Sequence, residues 1–190
     1  MFDLRFATPH AWTEAVLDDF DAFLLDHAAA EKKASGMANS MLSHYPDRTK
    51  LVMAMVDLAI EEMAHFREVV KIITERGLIL GTDAKDPYIN EFRKAFRKGS
   101  DVYMLDRLLV GGIVEARGCE RFGLVADALE EGPLKDFYRA ITESESRHHH
   151  LFVELARDYF ATNVVDQRLG ELLDIEAEIV GQLPIRAALH

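Results

Sequence analysis

Apolar positions recur along this chain at three- and four-residue spacing, and no useful length of apolar–polar alternation occurs, so the pattern predicts helices and no strands. The first helix is expected over about 19–43, rich in alanine, with a candidate break near Asp26, stopping before His44-Tyr45-Pro46. Pro46-Asp47 is a turn and helix-start signal. A second helix, about 47–77, carries the apolar run Leu51-Val52-Met53-Ala54-Met55-Val56 and stops at Gly77. Residues 78–100 hold Gly81, Pro87 and Gly99 and read as a long crossover with one short helix over 91–98. Ser100 or Asp101 is placed to cap a third helix, about 101–130. Glu131-Gly132-Pro133 turns into a fourth, about 133–160, and a fifth, about 163–182, ends near Gly181 and Pro184. Residues 1–12 show little pattern beyond Thr8-Pro9, a turn or short helix start.

Two Glu-x-x-His pairs stand out on these helices, Glu62 with His65 and Glu145 with His148. Residues three apart on a helix project from one face, so each pair offers a carboxylate and an imidazole together. Glu31 lies 31 residues before Glu62, and Glu115 lies 30 before Glu145. In an antiparallel hairpin, residues equidistant from the turn share one height. The midpoint of the first pair falls on Pro46-Asp47 and that of the second beside Glu131-Gly132-Pro133. Each glutamate thus sits about 15 residues, on the order of 22 Å, from its turn. The neighbouring positions are small or apolar, as at Ala28, Ala34 and Ala38 around Glu31, and Gly111, Gly112 and Gly118 around Glu115. Two alternatives share parts of this logic. Glu120 meets the same hairpin symmetry as Glu115 but has the more polar neighbours, and His149 could replace His148 at a spacing of four.

Four carboxylates turned into a core repel one another and lose solvation, so they require protons or cations. The repeated Glu … Glu-x-x-His unit is the ligand set of carboxylate-bridged dinuclear sites in ferritin-like bundles. The expected fold is therefore all-α: a ferritin-like four-helix bundle of two antiparallel helical hairpins joined by a long crossover, with an additional C-terminal helix. Oxygen-rich ligation suits iron or manganese better than zinc. Two iron ions so held would deliver two electrons together to dioxygen. Val110-Gly111-Gly112-Ile113 is no dinucleotide fingerprint, since no strand precedes it, so an external electron donor is expected. Glu61 is placed either to orient a ligand histidine or to face solvent.

Composition narrows the classes. The 190 residues, 49% of them hydrophobic, suit a single domain over 1–190 with a substantial core. A net charge of −11 argues against broad nucleic-acid binding but leaves room for a local basic patch. One cysteine, Cys119, excludes a disulfide framework and a Cys-x-x-Cys metal site. No signal-peptide pattern and no apolar run of about 18 residues is found, so the expected location is cytoplasmic, with no membrane partner.

Segments around the ligand positions carry a closer likeness. Leu25-Asp26-His27-Ala28-Ala29-Ala30-Glu31-Lys32-Lys33-Ala34, Ala59-Ile60-Glu61-Glu62-Met63-Ala64-His65-Phe66, 109–122 around Glu115, and Glu143-Ser144-Glu145-Ser146-Arg147-His148 resemble the bacterial tRNA 2-methylthio-N(6)-isopentenyladenosine hydroxylases over nearly the whole chain. The resemblance implies a non-haem di-iron monooxygenase that adds one oxygen atom to the isopentenyl side chain of the modified adenosine beside the tRNA anticodon. It maps the iron ligands onto Glu31, Glu62, His65, Glu115, Glu145 and His148, with dioxygen and an external reductase as partners. The basic stretch Arg93, Lys94, Arg97 and Lys98, with Lys85, is the candidate tRNA contact against an otherwise acidic chain. The glycines at 111, 112 and 118 would either leave space for an isopentenyl channel or let helices pack closely, and Tyr138 is read as core. The competing readings are a ferritin- or rubrerythrin-like ferroxidase without organic substrate, a non-catalytic partner-binding bundle, and a quinone hydroxylase.

Overall fold

The computed structural model describes residues 2–190, and among these there are seven helices and no strand. The chain divides into two compact units. One spans Glu14–Ala84 with Arg186–Leu189, and the other holds the chain up to Thr13, Lys85–Ile185 and His190. A helix α1 (His10–Asp18) precedes α2 (Phe20–His44), so the chain breaks at Asp19 and runs unbroken past Asp26. The reason is local: the Asp19 side chain accepts the Ala22 amide at 3.2 Å and caps α2. Asp26 instead accepts the Leu189 amide at 2.7 Å, holding the C-terminal segment.

In the first unit, α2 and α3 (Thr49–Glu75) form an antiparallel hairpin around the turn at 45–48. Phe23, Leu24, Met41, Leu51, Met55 and Leu58 are buried along it, and the Ser35 hydroxyl donates to the Ala59 carbonyl at 2.8 Å. Gly77, at φ 74°, ends α3: its amide bonds to Thr74 and that of Leu78 to Ile73, each at 3.0 Å, a Schellman closure that needs a left-handed residue. Lys32 then binds the Asp83 carboxylate and Lys33 the Ala84 carbonyl, fixing the start of the crossover on α2.

The second unit contains α4 (Pro87–Lys94), α5 (Ser100–Ala128), α6 (Pro133–Tyr159) and α7 (Thr162–Gln182). The short helix is displaced from its expected span. It begins where Pro87 supplies a preset φ and Asp86 caps the Ile89 amide, and it stops at Lys94, so Arg97 and Lys98 lie beyond it. Neither Ser100 nor Asp101 caps α5: Gly99, at φ 118°, is the N-cap, which places both of those residues already inside the first turn. The loop is anchored by Asp106, fully buried on α5. Its carboxylate accepts from the Arg97 amide (2.8 Å), the Arg97 guanidinium (2.7 Å) and Arg168 of α7 (2.8 Å).

The α5–α6 hairpin packs closely at its glycines. A methyl on Gly111 would lie 2.9 Å from Phe152 Cε1, and one on Gly112 would lie 3.2 Å from Phe152 Cβ. The Phe152 ring occupies the space at 111, and Phe152 Cβ with the His149 carbonyl oxygen that at 112, so close packing, not a channel, accounts for those two residues. No helix of the described residues is long and apolar enough to cross a membrane.

Candidate metal centre

The α2–α3 hairpin brings Glu31, Glu62 and His65 together. Glu31 and Glu62 are 4% and 1% exposed, although carboxylates are rarely buried without a partner. His65 Nδ1 lies 3.7 Å from Glu31 Oε2 and 3.8 Å from Glu62 Oε2. One ligand atom from each of the three falls within 4.8 Å of the others. The matched distances from the turn put Glu31 and Glu62 at one height, and the helical spacing of three swings His65 to the same side.

The α5–α6 hairpin repeats the arrangement with Glu115, Glu145 and His148, all buried. His148 Nδ1 is 3.1 Å from Glu145 Oε2 and 3.9 Å from Glu115 Oε2, and here too one ligand atom from each lies within 4.8 Å of the others. Both alternatives from the sequence have other surroundings. Glu120 accepts from the Thr8 amide and hydroxyl (3.0 and 2.7 Å) and pairs with Arg117. His149 stands edge-on to Phe2, with ring centroids 5.7 Å apart, and beside His150 at 4.1 Å. Burial and the neighbouring His150 hold its imidazole below the usual range. Cys119, one turn after Glu115, donates to the Thr142 carbonyl at 3.5 Å, and burial with the nearby Glu145 pushes its thiol up to about 11. A neutral thiol of that kind is a poor metal ligand.

Each hairpin thus presents two buried carboxylates and one imidazole, mutually close, with His148 buried and His65 half-buried. Such oxygen-dominated donor sets fit iron, and a cation offsets the repulsion and desolvation that the carboxylates otherwise suffer.

The remaining candidates are dispersed. Glu61 is half-buried on α3 and Tyr138 fully buried on α6. In the basic stretch, Arg93 and Lys98 are exposed, Lys94 pairs with Glu91 at 2.6 Å, and Arg97 is committed to Asp106. Sequence reasoning missed His27, whose Nε2 lies 2.6 Å from Glu31 Oε1 with both groups buried. The signal was present as a His four residues before a core-facing Glu on one helix face. Also missed was Arg117, fully buried and paired with Glu176 of α7 through Nε–Oε1 at 2.8 Å and Nη2–Oε2 at 3.0 Å.

Residues 2–190 match the family model described as tRNA-(MS[2]IO[6]A)-hydroxylase (MiaE). The chain belongs to this family. Among its relatives, a tRNA 2-(methylsulfanyl)-N(6)-isopentenyladenosine(37) hydroxylase from Pseudomonas putida is 36% identical over 152 residues, 80% of this chain and 74% of that protein. One of the same name from Salmonella typhimurium is 30% identical over 155 residues, 82% of this chain and 56% of that protein. Among solved structures, a Synechococcus protein with aldehyde deformylating oxygenase activity superposes with a TM-score of 0.95 at 30% identity, covering 100% of this chain and 96% of that one. The MiaE-family fold is therefore all-α and ferritin-like in its connectivity, two antiparallel hairpins joined by a crossover and followed by α7.

Proposed function

We propose that the chain is a dioxygen-dependent di-iron monooxygenase that hydroxylates the isopentenyl side chain of 2-methylthio-N(6)-isopentenyladenosine in tRNA. The observation that carries this reading is the Glu, Glu, His set, its carboxylates buried, that recurs in each of two hairpins of a MiaE-family chain. In this proposal Glu31, Glu62, His65, Glu115, Glu145 and His148 hold two iron ions, and residues 1–190 act as one di-iron domain. The metals would supply the paired electrons that dioxygen reduction requires. The protein's own part is to hold four carboxylates in a site largely withdrawn from water, orient two imidazoles through their carboxylate neighbours, and limit the access of water to the reacting side chain.

An external reductase or electron-transfer protein returns the electrons after each turnover, and a tRNA substrate places the reaction in the cytoplasm. The tRNA contact is assigned to the stretch holding Arg93, Lys94, Arg97 and Lys98. Arg93 and Lys98, at the surface, carry the phosphate contacts, and Arg97 chiefly secures the loop through Asp106.

A single-turnover assay tests the proposal. Reduced, iron-loaded protein is mixed with dioxygen and tRNA bearing the methylthio-isopentenyl nucleoside, and the digest is analysed by mass spectrometry. A gain of one oxygen atom on that nucleoside, absent in Glu115→Ala, supports the reading. About two irons bound with no such gain would reject the substrate. A ferroxidase, or an oxygenase acting on aldehydes like the Synechococcus protein, would then be tested with ferrous iron and an aldehyde in place of tRNA.

A further inference from the structure

His27 contributes to the site without belonging to either Glu-x-x-His pair. Its side chain is completely buried on α2, one turn before Glu31, with Phe23 stacked obliquely at a centroid distance of 6.1 Å. An ionised carboxylate only accepts hydrogen bonds, so with Glu31 in the ionised form that a metal binds, the 2.6 Å contact runs from His27 Nε2–H to Glu31 Oε1. The other oxygen of the same carboxylate, Oε2, is the one that faces His65 at 3.7 Å. The two oxygens are thereby given different tasks. One is tied to the helix that carries it, and the other is left on the ligand side.

The contact also restricts Glu31 conformationally. A glutamate has three rotatable bonds, and a buried one that is not held must lose their freedom when metal binds. A hydrogen bond to one oxygen removes much of that freedom in advance and disfavours rotation that would draw both oxygens from the ligand side. Neither Glu62 nor Glu115 has a histidine four residues before it: Leu58 and Gly111 stand there. Ile141 stands four residues before Glu145, so of the four glutamates only Glu31 has a histidine at that spacing.

We propose that His27 is a positioning residue for Glu31, fixing that carboxylate by an Nε2–H hydrogen bond so that Oε2 is presented to the metal site; this rests on the di-iron reading above. The test is cobalt(II) binding to the full-length apo-protein, followed by competition titration and by the visible ligand-field spectrum. Three forms are compared: wild type, His27→Phe, which keeps a ring but no donor, and His27→Gln, which restores an N–H near the Nε2 position. Far-UV circular dichroism and thermal melting of the apo forms check the fold. The expected result is roughly 10- to 100-fold weaker cobalt binding at one of two sites in His27→Phe, with an altered spectrum. Most of the affinity should return in His27→Gln. Wild-type affinity and spectrum in His27→Phe would overturn the proposal, as would failure of His27→Gln to improve on His27→Phe. If His27→Phe does not fold, His27→Gln is compared with His27→Asn, whose shorter amide cannot reach Oε1, and equal binding by the two overturns the proposal. Wild type that binds no cobalt would instead reject the di-iron reading itself.

Discussion

The buried ion pair between Arg117 and Glu176 offers a quantitative test of how α5 and α7 are held. Both side chains are wholly removed from water, and the guanidinium reaches the carboxylate through two hydrogen bonds, at 2.8 and 3.0 Å. The same guanidinium donates to the Phe6 carbonyl at 2.7 Å and the Thr8 hydroxyl at 3.1 Å, so it also ties the N-terminal segment to the unit. Tyr88 of α4 donates its hydroxyl to Glu176 at 3.2 Å. Nearby Arg121 stacks over Trp12 at 4.9 Å, and burial together with Arg117 pushes its guanidinium down to about 10. Glu176→Leu would leave two buried arginines one turn apart with Glu120 as their nearby counter-charge, and would strip Tyr88 of its acceptor. Breaking a buried pair on one side costs about 3–5 kcal/mol. Because Glu120 still pairs with Arg117, the lower end of that range is expected. At roughly 2–4 °C per kcal/mol for a chain of this size, the melting temperature should fall by roughly 6–12 °C. The double variant Arg117→Met, Glu176→Leu should recover part of the loss, since neither charge is then stranded. Thermal melts followed by circular dichroism decide the matter. A single variant melting within about 2 °C of wild type would refute the reasoning.

Asp106 gives a pH signature. Burial opposes its charge, but the hydrogen bonds from Arg97 and Arg168 prevail and hold its carboxyl below the usual range. Its contribution is therefore complete above the unfolded-state value of about 4 and is lost as pH falls through the lower folded value. Wild type should be more stable than Asp106→Asn at neutral pH, with the gap in urea midpoint narrowing only in strong acid. Gly111→Ala should cost about 1–3 kcal/mol in urea unfolding, because the new methyl must displace the buried Phe152 ring. Charge reversal at Arg93 and Lys98 should weaken tRNA binding and flatten its dependence on salt by about one unit of slope per lost phosphate contact, and an unchanged slope would remove that stretch from the interface.

Much of the site was legible because its logic is one-dimensional. The depth of Glu31 and Glu62, and of Glu115 and Glu145, follows from counting residues to a turn, and the aim of His65 and His148 follows from helical spacing. Glu115 and Glu120 satisfy the same count, so only contacts could separate them: Glu115 faces His148, while Glu120 is drawn to Thr8 and Arg117. The basic stretch was legible only as charge. Charge is visible in a sequence but its pairing is not, and Arg97 is held by an aspartate nine residues away on the next helix.

By itself, the sequence determined the helices of both hairpins, the crossover between them and the six candidate ligands, because apolar periodicity and turn residues act over a few positions. Helix boundaries moved where a specific cap prevailed, as at Asp19 and Gly99. Only the tertiary structure decided which charges are buried together. Arg117 meets Glu176 across 59 positions, Arg168 meets Asp106 across 62, and Phe152 fills the hollow at Gly111. Those choices belong to packing, where desolvation makes a partner obligatory but leaves its place in the chain unspecified.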